Sequence, residues 1–174
     1  MILLINTTED KSQIALIKNS KILAQAIFEA ELSHSEKLLP EISKLFKLES
    51  LQKLVAAGFS LRRQGFSLRD LEAIIVITGP GSYTGCRVGV ATANALAFSL
   101  DIPIIGINKF EIYKNPRLCQ DFGGQAKEKD FFGKKTILKI IQIACKKLKK
   151  KKIEKITLPF YEKPPHITKP KSIF

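Results

Sequence analysis

The run Ala73-Ile74-Ile75-Val76-Ile77-Thr78 constrains the fold more than any other part of the chain. It lacks the apolar–polar alternation of a strand with one wet face. Such a run suits a central strand covered on both sides, so a sheet with helices against it is expected. It ends in Gly79-Pro80-Gly81-Ser82-Tyr83-Thr84-Gly85, and a long helix is expected over 84–100. Residues 103–108, Pro-Ile-Ile-Gly-Ile-Asn, read as the next strand.

Upstream, residues 2–6 are apolar and β-prone, and Thr7-Thr8-Glu9-Asp10 is a polar turn. Two further β-like runs, 12–18 and 21–30, flank Asn19-Ser20, a hairpin signal. Three strands therefore open the chain, at least the first two antiparallel. A helix follows. Ser33 and Glu36 have capping-box spacing, and Leu38, Leu39, Ile42, Leu45 and Phe46 recur at helical intervals. Gly58-Phe59-Ser60-Leu61-Arg62 recurs as Gly65-Phe66-Ser67-Leu68-Arg69, an echo too short for an architectural repeat. Its second copy is the structural one: Ser67 can cap a short turn and Asp70 suits its N-terminal end. The element order gives an α/β class with a mixed sheet.

Beyond residue 112 the pattern changes. Residues 114–133 read as a linker and 134–150 as an amphipathic helix with Ile137, Ile140, Ile141, Ala144 and Leu148 on one face. Ile153–Leu158 reads as a short strand, and 159–171, with four prolines, as an extended tail. The charge divides at the same place. The formal net charge is +13, yet residues 1–112 carry 12 basic and 11 acidic residues while 113–174 carry 17 and 5. Such asymmetry suits either a polyanion-facing appendage or a solvated Lys-rich surface, and both stay open.

Composition excludes several classes. No apolar run approaches the roughly 20 residues of a membrane span, and the N-terminus reads as a strand rather than a secretion leader. Cys86, Cys119 and Cys145 are too few and too scattered for a disulfide framework, which fits a reducing cytoplasm. His34 and His166 offer no metal-ligand spacing.

The Gly79–Gly85 turn is the most informative motif. Between a buried strand and a helix start it resembles an anion site, but it matches no phosphate-loop or dinucleotide fingerprint, and Ser82 lacks the flanking glycines of a nucleophile elbow. Gly85, Gly89, Ala93 and Ala97 form a stripe at spacing four. A helix tolerates glycine at about 1 kcal/mol each relative to alanine, so something approaches this face closely. The chain's own sheet and a partner helix are both open. His34 reads as a capping-region or surface residue, with Leu38 where a metal pair would want a second histidine.

The run Gly79-Pro80-Gly81-Ser82-Tyr83-Thr84-Gly85-Cys86-Arg87-Val88-Gly89 closely resembles the signature of the TsaB (YeaZ) family, the non-catalytic component of bacterial threonylcarbamoyladenosine synthesis on tRNA. Ile2 to Thr8, Ser33 to Pro40, Leu68 to Ile74 and Leu158-Pro159-Phe160-Tyr161 resemble other parts of that family. The resemblance implies an actin-like ATPase-domain (ribonuclease H-like) fold, with an N-terminal lobe over 1–112 and a truncated second lobe, a Lys-rich remnant, over 113–174. It implies no catalytic residues, metal or cofactor in this chain. It implies binding, through the first and second helices, to a catalytic TsaD-like paralogue that modifies N6 of adenosine-37 in tRNAs reading ANN codons. A TsaE-like ATPase joins that assembly, and self-association of the isolated chain stays open. The catalytic paralogue carries a His-x-x-x-His metal pair, where this chain has His34 and Leu38. Asn6 stands where the wider actin-like fold has a carboxylate.

The partner interface is therefore expected at Gly79, Pro80, Gly81, Ser82, Tyr83, Thr84, Gly85, Arg87, Gly89, Ala93 and Ala97. Lys146, Lys147, Lys149, Lys150, Lys151 and Lys152 are expected to draw tRNA by sequence-independent phosphate attraction. The rival reading is a small nucleotide-binding ATPase using the Gly79–Gly85 turn.

Overall fold

The computed structural model describes residues 1–29, 34–56, 67–113, 133–149 and 155–161, with the backbone alone at 47–56 and 149. Strands β1 (Ile2–Asn6), β2 (Lys11–Lys18) and β3 (Lys21–Glu29) form the expected antiparallel meander. Asn19 and Ser20 turn the second hairpin with positive φ at both, 50° and 59°. That left-handed pair matches the twist of the flanking strands. Strands β4 (Ala73–Gly79) and β5 (Ile104–Asn108) add in parallel beside β1, giving the order β3-β2-β1-β4-β5.

As its composition requires, β4 is buried along its whole length. Ile74 and Val76 enter one core with Leu3, Ile5, Ile14 and Leu16. Ile75 and Ile77 enter another with Leu4, Ala15 and Ile17. Helices α1 (His34–Ala56) and α2 (Tyr83–Leu100) close the first core. The four-residue α3 (Lys109–Ile112) and α4 (Lys134–Lys149) close the second. Each fully buried Ile or Leu contributes about 1.5–3 kcal/mol.

In α1, Leu38, Ile42, Leu45 and Phe46 are buried, but Leu39, read onto the same face, is 52% exposed. It lies about 100° around the helix from Leu38, at the margin of the arc that the sheet can cover. The Ser67 cap is as read. Asp70 accepts from the Ser67 amide at 2.7 Å, and Ser67 Oγ accepts from the Arg69 amide at 3.3 Å, opening a 3₁₀ turn over Leu68–Asp70. Ser33 and residues 58–66 of the echo lie outside the described residues, as do 114–132 of the linker and 162–171 of the tail.

α4 has the expected buried face of Ile137, Ile140, Ile141 and Ala144, with Leu148 packed at its margin. This face completes the second core, so the segment beyond 112 shares the layers of the segment before it. Residues 155–158 are not the expected strand. Asn94 of α2 holds Thr157 instead, donating to its carbonyl at 2.9 Å and accepting from its amide at 3.0 Å. A side chain satisfies here what a neighbouring strand would have satisfied. Among the described residues no helix is long and apolar enough to cross a membrane.

Candidate partner interface at the glycine-rich turn and second helix

The turn between β4 and α2 is pressed against the loop that follows β1. Gly79 has φ +124°, where a side chain is strained, and a Cβ there would lie 2.4 Å from the Phe160 carbonyl oxygen. A cis bond joins it to Pro80. A Cβ on Gly81 would lie 2.0 Å from the Thr8 carbonyl oxygen, which accepts from the Ser82 amide at 2.8 Å. Ser82 caps α2, its Oγ accepting from the Gly85 amide at 3.2 Å. Thr7 Oγ1 donates to the Gly85 carbonyl at 2.6 Å.

The small-residue stripe belongs to this packing. Gly85, Gly89, Ala93 and Ala97 are all buried. A Cβ on Gly85 would meet the Thr7 carbonyl oxygen at 2.0 Å, and one on Gly89 would meet Thr7 Oγ1 at 2.1 Å. The close approach that the stripe announces is made by the chain's own β1 end. These four residues shape the helix from within.

The other side of α2 has its own pattern. Thr84, Arg87, Ala91, Ala95 and Phe98 are exposed at helical spacing, Phe98 by 89%. From Val88 to Leu100 the helix carries no charge at all. Ala91, Ala95 and Phe98 do not stand out in the sequence beside the small-residue stripe. The available signal is a second row on the same helix, uncharged from Ala91 to Phe98. Arg87 is held in place rather than free. Its guanidinium lies 4.0 Å from the Tyr83 ring centroid and donates to the Tyr83 hydroxyl, and its Nε donates to the Tyr161 hydroxyl at 3.0 Å. The two tyrosine rings lie 4.6 Å apart.

Behind the turn lies a buried polar group of residues. Lys109 forms an ion pair with Glu9 and is 2% exposed. Cys86 is fully buried, and burial pushes its thiol up to about 11, with Lys109 lowering and Glu9 raising it. His34 is buried rather than superficial, its Nδ1 3.1 Å from Ser12 Oγ. Burial lowers its pKa and Asp10 opposes that shift. Among the described residues no three His, Cys, Asp or Glu converge as a metal site.

The comparisons agree with this architecture. The family model described as TsaD, tRNA N6-adenosine threonylcarbamoyltransferase, matches residues 21–120. The chain belongs to the TsaD–TsaB family. The TsaB protein of Bacillus subtilis is 34% identical over 110 residues, covering 63% of this chain and 42% of the relative. The tRNA N6-adenosine threonylcarbamoyltransferase of the same organism is 30% identical over 122 residues, covering 67% of this chain and 34% of that protein. A solved Pseudomonas aeruginosa structure, described as similar to the peptidase YeaZ, superposes with a TM-score of 0.50 at 24% identity over 70% of this chain and 49% of that one. The shared fold is the actin-like, ribonuclease H-like lobe with its mixed sheet. The chain spans about two fifths of the TsaB relative's length and one third of the transferase's.

Within this TsaD–TsaB lobe the lysines of the last helix divide. Lys147 is half-buried, donating to the Gly106 carbonyl at 2.7 Å and to Glu111 Oε1 at 2.8 Å, so it is spent on β5 and α3. Lys146 is exposed. The side chain of Lys149 and all of Lys150, Lys151 and Lys152 lie outside the described residues.

Proposed function

We propose that this chain is a partner subunit of a TsaD-like catalytic protein and serves the formation of threonylcarbamoyladenosine on tRNA. The uncharged outer face of α2 carries the reading. An exposed helix face of Ala91, Ala95 and Phe98 gains nothing in water, whereas small residues let a partner helix approach and Phe98 supplies an anchor. The turn residues Pro80 to Thr84, with Arg87 and its two tyrosines, border that face. The positions of the paralogue's metal pair support a non-catalytic role: His34 is bonded to Ser12, and Leu38 is core. A TsaE-like ATPase would join through the catalytic subunit, and tRNA would be reached within the complex. The rival ATPase reading meets an obstacle at the turn, where Thr7 and Thr8 oxygens crowd the glycines that would have to cradle phosphate.

The test is co-purification with the TsaD-like protein of the same genome. Ala95→Glu and Phe98→Glu are expected to abolish pairing while leaving the unfolding midpoint unchanged. Phe98→Ala is expected to weaken it about tenfold or more, from the loss of about 1.5–3 kcal/mol of burial. Pairing that survives both charged variants refutes the interface.

A further inference from the structure

We propose that the outer face of α4 is a binding surface for an RNA phosphate backbone, on the side of the sheet opposite α2. Lys134, Lys135, Lys139 and Lys146 are exposed, and Lys135, Lys139, Gln142 and Lys146 fall on one row of the helix. At 1.5 Å per residue that row spans about 16 Å. α4 contains no acidic residue. On α3 and β5, the elements it packs against, the single carboxylate is Glu111, already paired with Lys147 at 2.8 Å. The row's charge is thus uncompensated among the described residues.

The occupant follows from the chemistry. Isolated ammonium groups along a line fit phosphates spaced along a strand and need no bidentate geometry, whereas recognition of protein carboxylates favours the arginine fork, absent from α4. A membrane-surface helix would have to offer its apolar face to lipid, but Ile137, Ile140, Ile141 and Ala144 are committed to the core. The Tyr113 ring lies 5.9 Å from Lys139 Nζ, giving the row an aromatic neighbour. Only the choice of tRNA as the RNA rests on the function proposed above.

The experiment measures binding of a tRNA transcript to the full chain by fluorescence anisotropy across a salt series. Four neutralised phosphates give a log–log salt slope of about −3, so affinity should fall about 50- to 150-fold between 50 and 200 mM salt. Replacing all four lysines by Gln should flatten that slope and lower affinity at 50 mM salt at least tenfold, while replacing them by Arg should preserve both. Far-UV circular dichroism verifies that the exposed substitutions leave the fold intact. An unchanged slope in the Gln variant overturns the proposal. So does tighter capture by polyglutamate, or by phosphatidylserine vesicles, that the same variant loses. Co-purification with the TsaD-like partner, run on the same variants, separates the two proposals. A chain that pairs without binding RNA overturns only this one, and a chain that binds RNA without pairing overturns only the other.

Discussion

Gly89 and Thr7 are 82 positions apart in sequence, yet a Cβ on Gly89 would stand 2.1 Å from Thr7 Oγ1. Gly89→Ala therefore sets two effects against each other. Alanine in a helix interior gains about 1 kcal/mol over glycine. Overpacking costs about 1–3 kcal/mol, and displacing Thr7 Oγ1 breaks its 2.6 Å bond to the Gly85 carbonyl, a further 0.5–1.5 kcal/mol or so. Thr7 is fully buried and its side chain is short, so it cannot swing into solvent. The clash wins, and a net destabilisation of about 2 kcal/mol is expected, or about 4–8 °C in Tm for a chain of this size. In a Thr7→Ala background the obstructing oxygen is gone, and Gly89→Ala should become neutral or stabilising by up to about 1 kcal/mol. Urea unfolding followed by far-UV circular dichroism measures all four corners of this cycle. Equal costs of Gly89→Ala in the two backgrounds would refute the assignment of the stripe to Thr7. A loss of partner pairing by Gly89→Ala in both backgrounds, with no stability change, would return the stripe to the partner.

Three further outcomes are expected. Cys86 is neutral in the fold up to about 11 but ionises from its ordinary 9.0 when unfolded. Stability should thus fall as the pH rises from 9 towards 11, by up to about 2–3 kcal/mol, and Cys86→Ala should remove this component of the slope; identical slopes count against the buried thiol. Asn94→Ala removes both bonds to Thr157, costing about 1–3 kcal/mol and speeding tryptic cleavage after Lys155, with unchanged cleavage as the contrary result. Asp101 ends α2 with φ 52°. Asp101→Gly should stabilise by about 0.5–1 kcal/mol in the same urea assay, and a loss of stability would contradict the left-handed cap.

Local chemistry was legible wherever a residue's neighbours in space are its neighbours in sequence. The Asn19-Ser20 turn, the Ser67–Asp70 cap, the buried run of β4 and the apolar stripe of α4 are of this kind. Residues 155–158 were misread because their apolar alternation is that of a strand, while the Thr157 backbone is satisfied by Asn94, 63 positions away. Leu39 was misplaced because periodicity gives the direction of a helix face but not the extent of the surface that covers it.

By itself the sequence determined the α/β class, the strand–turn–helix that carries the family signature, and the concentration of the net positive charge in the last third. These follow from propensity, periodicity and composition, which act along the chain. Which side of α2 is spent on the core and which is left exposed was decided only in the tertiary structure, as was the division of the α4 lysines between the bound Lys147 and the exposed row. The physical reason is the same in both cases. A helix presents all its faces equally to a reader of the sequence, and only the elements packed against it by long-range contact make one face interior and leave another to water.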